Sequence, residues 1–124
     1  MNMHESGEMY LETILRLSLS NDIVRSIDVA QAMNFSKPSV SRAMKTLREN
    51  GYISINPSTG NITLLEKGKA IAEKIFERHQ VLTKCLEFLG VPSDIAQDDA
   101  CRIEHVISDE TFEALKCHIK EHKS

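Results

Sequence analysis

Residues 35–51, FSKPSVSRAMKTLRENG, decide how this chain is read. Ser36 stands where a helix wants an N-cap hydroxyl. Pro38 falls in the first turn, where its missing N–H costs no helical bond, and Gly51 suits the left-handed position just past a helix end. Between these signals Val40, Met44 and Leu47 recur at spacings of four and three, which makes one apolar stripe. Lys37, Arg42, Lys45 and Arg48 lie off that stripe, and residues 37–48 contain no acid. The segment is an amphipathic helix with a basic outer face.

The neighbouring segments fix its context. Upstream, SIDVAQAMN (26–34) reads as a short helix with Ser26 as N-cap and Asn34 as stop. Before it, EMYLETILRLSL (8–19) places Tyr10, Ile14 and Leu17 at helical spacing, with Leu11 and Leu15 beside them. Downstream the period changes to two. YISIN and NITL flank the turn cluster PSTG, so residues 52–64 read as a β-hairpin. Thr63 and Glu66 have capping-box spacing and announce a long helix with Ile71, Ile75, Leu82, Leu86 and Leu89 on one side. GVP at 90–92 breaks it, Ser93 opens another helix, and Ser108 caps a last one through DETFEALKCHIKEH. Helix, short helix, tight turn, helix and hairpin make a winged helix-turn-helix. The fold class is therefore mainly α, with residues 1–70 as the DNA-binding domain and 71–124 as a second, helical domain.

Composition narrows the function classes. In 124 residues, 41% are hydrophobic and 27% charged, ordinary values for a globular protein. No apolar run reaches membrane-spanning length and no secretory leader is visible, so a cytoplasmic protein is expected, with no membrane partner. The three cysteines, Cys85, Cys101 and Cys117, are odd in number and far apart, against a disulfide framework or a CxxC motif. Net charge is −3. Its distribution matters more, because the basic run 37–48 sits in an otherwise balanced first half, while the second half is acidic enough to hold cations.

In a helix-turn-helix the second helix enters the major groove with its first turns at the base edges. Ser39, Ser41 and Arg42 are the polar positions there. Arginine reads guanine in bidentate fashion, and serine takes a base or a phosphate. Lys37, Lys45 and Arg48 read as phosphate contacts that position the protein, and Ser58 and Thr59 at the hairpin tip are candidates for the DNA backbone. Charges on one helix face often do no more than solvate it. Here the serine-rich start, the preceding short helix and the wing favour double-stranded DNA.

DDACRIEHVISDE, residues 98–110, carries the second signal. Cys101, Glu104 and His105 stand at positions i, i+3 and i+4, one face of a helix. A thiolate, a carboxylate and an imidazole suit a divalent transition metal, though a lone helical cysteine is often only a small buried hydrophobe. This motif, together with EMYL (8–11), KPSVSRAMKTL (37–47) and LTKCLEFLGV (82–91), resembles the diphtheria toxin repressor family of metal-dependent repressors along essentially the whole chain. The resemblance implies that Met9 joins Cys101, Glu104 and His105 at the activating metal site. It also implies a homodimer that binds operator DNA when loaded with Fe²⁺ or Mn²⁺ and represses metal-uptake genes. At the second, ancillary site of the iron-responsive branch only His79 matches, with Thr83 and Gln97 at the other positions. The SH3-like third domain of longer members is not expected, since the chain stops at Ser124. Glu12 matches a ligand position of the manganese-responsive branch, while Met9 and Cys101 replace two of its carboxylates. The pattern is a hybrid. Met9 and Cys101 are soft ligands, which favours Fe²⁺ over Mn²⁺, the weakest binder of the first-row series.

Two other readings compete. One is a metal-independent winged helix-turn-helix regulator with Met9 and Cys101 in the core. The other is an enzyme with Cys101 as nucleophile and His105 as base. It lacks an orienting third group and an oxyanion-hole signal, so neither an enzyme nor an organic substrate is expected. Cys85 and Cys117 read as structural, His118 and His122 as solvated, and His4 has no assigned role.

Overall fold

The computed structural model describes residues 5–122. Six helices and a two-stranded hairpin follow in the order α1 (Glu5–Ser20), α2 (Ser26–Met33), α3 (Lys37–Glu49), β1 (Ile53–Ile55), β2 (Ile62–Leu64), α4 (Glu66–Phe88), α5 (Ser93–Ile103) and α6 (Asp109–His122). The fold is mainly α, with a small antiparallel wing. Two compact units are present, Met1–Glu73 and Lys74–Ser124, and the division falls inside α4.

The first unit is built on the stripes that the sequence shows. Leu11 and Ile14 of α1, Val29 of α2, Val40, Met44 and Leu47 of α3, and Ile53 and Ile62 of the hairpin are buried in one cluster. Burying each such side chain stabilises by roughly 1.5–3 kcal/mol. The turn between α2 and α3 is tight because Asn34 takes the left-handed conformation (φ 58°) and Phe35 N–H donates back to Ala30 O at 3.0 Å. Ser36 then caps α3, its Oγ accepting from Ser39 N–H at 3.4 Å, and Gly51 follows with φ 81°. In the hairpin Ile53 pairs with Leu64, Ser54 with Thr63 and Ile55 with Ile62.

Three local expectations change. Ser26 is the first residue of α2; the N-cap is Arg25, whose N–H donates to the Asp28 carboxylate at 2.9 Å, the return half of a capping box. Thr63 lies within β2 opposite Ser54, so it caps nothing, and α4 starts at Glu66. Leu89, expected on the inner stripe of α4, is 77% exposed, since α4 stops at Phe88 and Gly90 turns the chain with φ 99°.

The second unit buries Ile75 and Leu82 of α4, Ala96 and Ala100 of α5, and Phe112 of α6. Ser108 caps α6 as expected, its Oγ accepting from Thr111 N–H at 3.1 Å. Two charged residues, Arg78 and Glu104, are buried with them.

Gly68 in α4 is required by a close approach. A Cβ there would overlap the Tyr52 carbonyl oxygen and lie 3.0 Å from its carbon. Alanine would gain about 1 kcal/mol of helix propensity, but the obstacle is backbone and cannot rotate aside. Gly68→Ala should therefore lower stability by a net ~1–3 kcal/mol in urea unfolding, the usual cost of overpacking. Equal or higher stability would show that the α4 start yields freely.

Candidate DNA-binding surface and metal centre

On α3 the side chains of Lys37, Ser41, Arg42, Lys45 and Arg48 are exposed, while Val40, Met44 and Leu47 face the core. The N-terminal turn is ordered by a small network. Ser36 Oγ donates to Ser39 Oγ at 2.8 Å, and Arg42 Nη2 donates to the same Ser39 oxygen at 3.4 Å. Ser39 is half-buried and its oxygen accepts from both Ser36 and Arg42, whereas Arg42 keeps its remaining donors.

The wing tip is exposed at Ser58 and Thr59. Asn56 Oδ1 accepts from the N–H groups of Ser58 and Thr59 at 2.8 and 3.2 Å, and Thr59 Oγ1 accepts from Asn61 N–H at 3.1 Å, so the Thr59 hydroxyl serves the turn. Sequence reasoning missed the groups that anchor this wing. Arg25 Nε donates to Thr59 O at 2.7 Å, Val24 N–H to Asn61 Oδ1 at 2.9 Å and Ile62 N–H to Val24 O at 2.7 Å. The stretch before α2 thereby fixes the hairpin to the helix-turn-helix. An arginine preceding a short helix gave no signal for this, because its partners lie more than thirty residues away.

The metal candidates divide between the units. In the first, Met9 and Glu12 stand three residues apart on α1. Met9 is half-buried, and Glu12 is buried with Oε2 accepting from Arg16 Nη2 at 2.7 Å. In the second, α5 ends at Ile103 and Glu104 is its C-cap, still helical (φ −58°, ψ −26°), with His105 in the turn beyond. The face expected for Cys101, Glu104 and His105 therefore runs off a helix end.

Glu104 is 0% exposed. Its Oε2 lies 2.9 Å from His79 Nδ1 of α4, and its Oε1 lies 3.4 Å from His105 Nε2 without receiving a hydrogen bond. The His105 ring is fully buried too. His79, secondary in the sequence reading, thus belongs beside Glu104. Cys101 is half-buried.

The other candidates are simpler. Burial pushes the Cys85 thiol above its ordinary pKa, which keeps it protonated and inert. Cys117 and His118 are exposed on α6. Gln97 Nε2 donates to Ser93 Oγ at 3.3 Å on the outside of α5, and the buried Thr83 hydroxyl has no hydrogen-bond partner among the described residues. His4 and the side chain of His122 lie outside the described residues.

The donor set fits a divalent transition metal. A buried carboxylate costs several kcal/mol unless it is paired or coordinates a metal. Here one oxygen faces an imidazole and the other, beside a second imidazole, has no donor among the described residues.

Comparison with known proteins places this geometry. Residues 2–60 match the family model described as iron dependent repressor, N-terminal DNA binding domain, and residues 65–124 match iron dependent repressor, metal binding and dimerisation domain. A protein named as an uncharacterized HTH-type transcriptional regulator of Methanocaldococcus jannaschii is 37% identical over 123 residues, 98% of either chain. The transcriptional regulator MntR of Salmonella typhimurium is 34% identical over 113 residues, 91% of this chain and 71% of the relative. A solved manganese-dependent transcriptional repressor in complex with manganese superposes with a TM-score of 0.84 at 26% identity, over 92% of this chain. This chain spans about half of that one, 52% of its length.

Two substitutions test the two sites. Arg42→Ala should cost roughly 1–3 kcal/mol on a cognate duplex and relax selectivity at one base pair; a uniform loss on all sequences would make Arg42 a phosphate contact. Glu104→Gln should abolish metal-induced thermal stabilisation, which for the parent chain at a hundredfold excess of metal over Kd amounts to about 2.7 kcal/mol. A variant that gains as much as its parent on adding Mn²⁺ would remove Glu104 from the site.

Proposed function

The chain belongs to the iron-dependent repressor family of metal-dependent transcriptional regulators, and we propose that it is a homodimeric repressor of metal-uptake genes with Fe²⁺ as favoured corepressor and Mn²⁺ second. The observation that carries the metal reading is the buried Glu104 carboxylate, flanked by His79 and His105, with one oxygen lacking a donor among the described residues. Met9, Cys101, Glu104 and His105 would hold the ion, with Glu12 and His79 as further ligands. Bound there, the metal supplies positive charge and a coordination geometry; it performs no reaction.

The rest follows from where the ligands stand in the chain. Met9 and Glu12 belong to the unit that carries α3; the others belong to the second unit. An ion that draws ligands from both binds only the arrangements that unite them, and so shifts the population toward those by its differential affinity. If they set the two recognition helices of a dimer about one turn of DNA apart, metal acts as corepressor. Dimerisation is supported by exposed apolar side chains in the second unit, Phe88 (62%), Leu89 (77%) and Ile95 (49%), within the segment that matches a dimerisation domain. Iron is preferred because Met9 and Cys101 are soft donors, and Zn²⁺ and Cu²⁺, which would bind tighter, are kept scarce in cells. Glu12 pulls toward Mn²⁺ but is outweighed by the two soft positions.

An anaerobic gel shift with operator-containing genomic fragments tests this. Chelator should weaken binding, and Fe²⁺ should restore it more effectively than Mn²⁺, by a coupling of about 5–150-fold. Met9→Leu and Cys101→Ala should keep native circular dichroism while most of that gain is lost. DNA binding indifferent to chelator would favour a metal-independent regulator, and a stronger response to Mn²⁺ would make ligand softness the wrong guide.

A further inference from the structure

Next to His79 on α4 stands a cation that none of the metal chemistry above uses. Arg78 is 6% exposed, yet its guanidinium does not contact the neighbouring carboxylate of Glu104. Nη1 donates instead to the main-chain carbonyl of Glu104 at 3.1 Å and to that of Ile107 at 2.8 Å; Nη2 donates to the Asp109 carboxylate. The plane lies over the Phe112 ring, 5.5 Å from its centroid. One side chain thus ties the end of α5, the 104–108 turn and the start of α6 to α4.

We propose that Arg78 is a positioning residue for the metal centre. It fixes the backbone of Glu104 relative to the adjacent His79, and by directing its Nη donors to carbonyls and to Asp109 it leaves the Glu104 carboxylate to the ion. An arginine free to turn would form a bidentate pair with that buried carboxylate and compete with any metal. Two carbonyls are met by one Nη and Asp109 by the other, so the planar fork is needed and a lysine ammonium cannot replace it. The inference rests on the metal reading above.

The test uses the full-length chain and four proteins: the parent, Arg78→Lys, Asp109→Ala and Phe112→Leu. Phe112→Leu perturbs packing under the guanidinium and leaves its hydrogen bonds in place. Affinity for Co²⁺ and Mn²⁺ is measured by competition with a chromophoric chelator, the visible spectrum of bound Co²⁺ reports coordination, and circular dichroism with thermal melting reports the fold. Arg78→Lys should keep its helix content, lose about 10–100-fold in affinity, as loss of a group supporting metal ligands does, and change the Co²⁺ bands. Asp109→Ala should lose less, in the same direction. Phe112→Leu should melt lower with parental affinity and spectrum. Parental affinity in Asp109→Ala, or in a folded Arg78→Lys, overturns the proposal, as does an equal affinity loss in Phe112→Leu. A parent chain that takes up no Co²⁺ or Mn²⁺ defeats the metal reading itself, before any substitution is made.

Discussion

A carboxylate withdrawn wholly from water governs the second unit. Glu104 is buried, and it sits at the C-terminus of α5, where the helix dipole already places partial negative charge. An apolar residue of similar size would escape both penalties. An uncompensated buried charge costs several kcal/mol, comparable to the whole net stability of a small domain. The position makes physical sense when something cationic completes it. His79 faces one oxygen and His105 lies beside the other, and an ion between carboxylate and imidazoles would complete the set.

The nearby arginine shows that the arrangement is selective. Arg78 satisfies the Glu104 and Ile107 carbonyls, which at a helix end would otherwise lack partners. Its charge is balanced by Asp109, whose carboxyl is held below its ordinary pKa first by Lys74 and then by Arg78. The sign follows: this contribution is complete above the ordinary carboxylate pKa and is lost as pH falls through the lowered one. Because Asp109 is largely exposed, solvent screens the pair and its contribution to stability is modest. The arginine's buried position is therefore better understood through what it holds in place than through net stability.

What was legible in the sequence was local. The stripe Val40, Met44 and Leu47, the caps Ser36 and Ser108, and the period change at the hairpin all act within a few residues, and each element formed as its pattern indicated. The errors have the same origin. Ser26 and Thr63 are good cap chemistry one and two residues from where the chain turns, and the Asp28 return bond and the β2 register decided the matter. Leu89 continues a helical period past the helix end, where periodicity carries no information. Cys101, Glu104 and His105 were visible because they are close in sequence. The pairing of His79 with Glu104 spans 25 residues, and Arg25 reaches Thr59 across 34; no spacing rule encodes either.

The position of Met9 and Glu12 explains why a ligand taken from α1 would be felt at the DNA-binding surface. Tyr10 and Leu11 lie between them and belong to the cluster that also holds Val40 and Met44 of α3. Close-packed cores transmit displacement instead of absorbing it, since a shift of even one methylene's width costs measurable energy. A force applied at Met9 or Glu12 would therefore move the helix-turn-helix as a body and leave α3 undistorted. The wing would go with it, because Val24 and Arg25 bind the hairpin by its backbone. An ion seated partly on α1, as proposed, would thus act on the helix-turn-helix and its wing as one body.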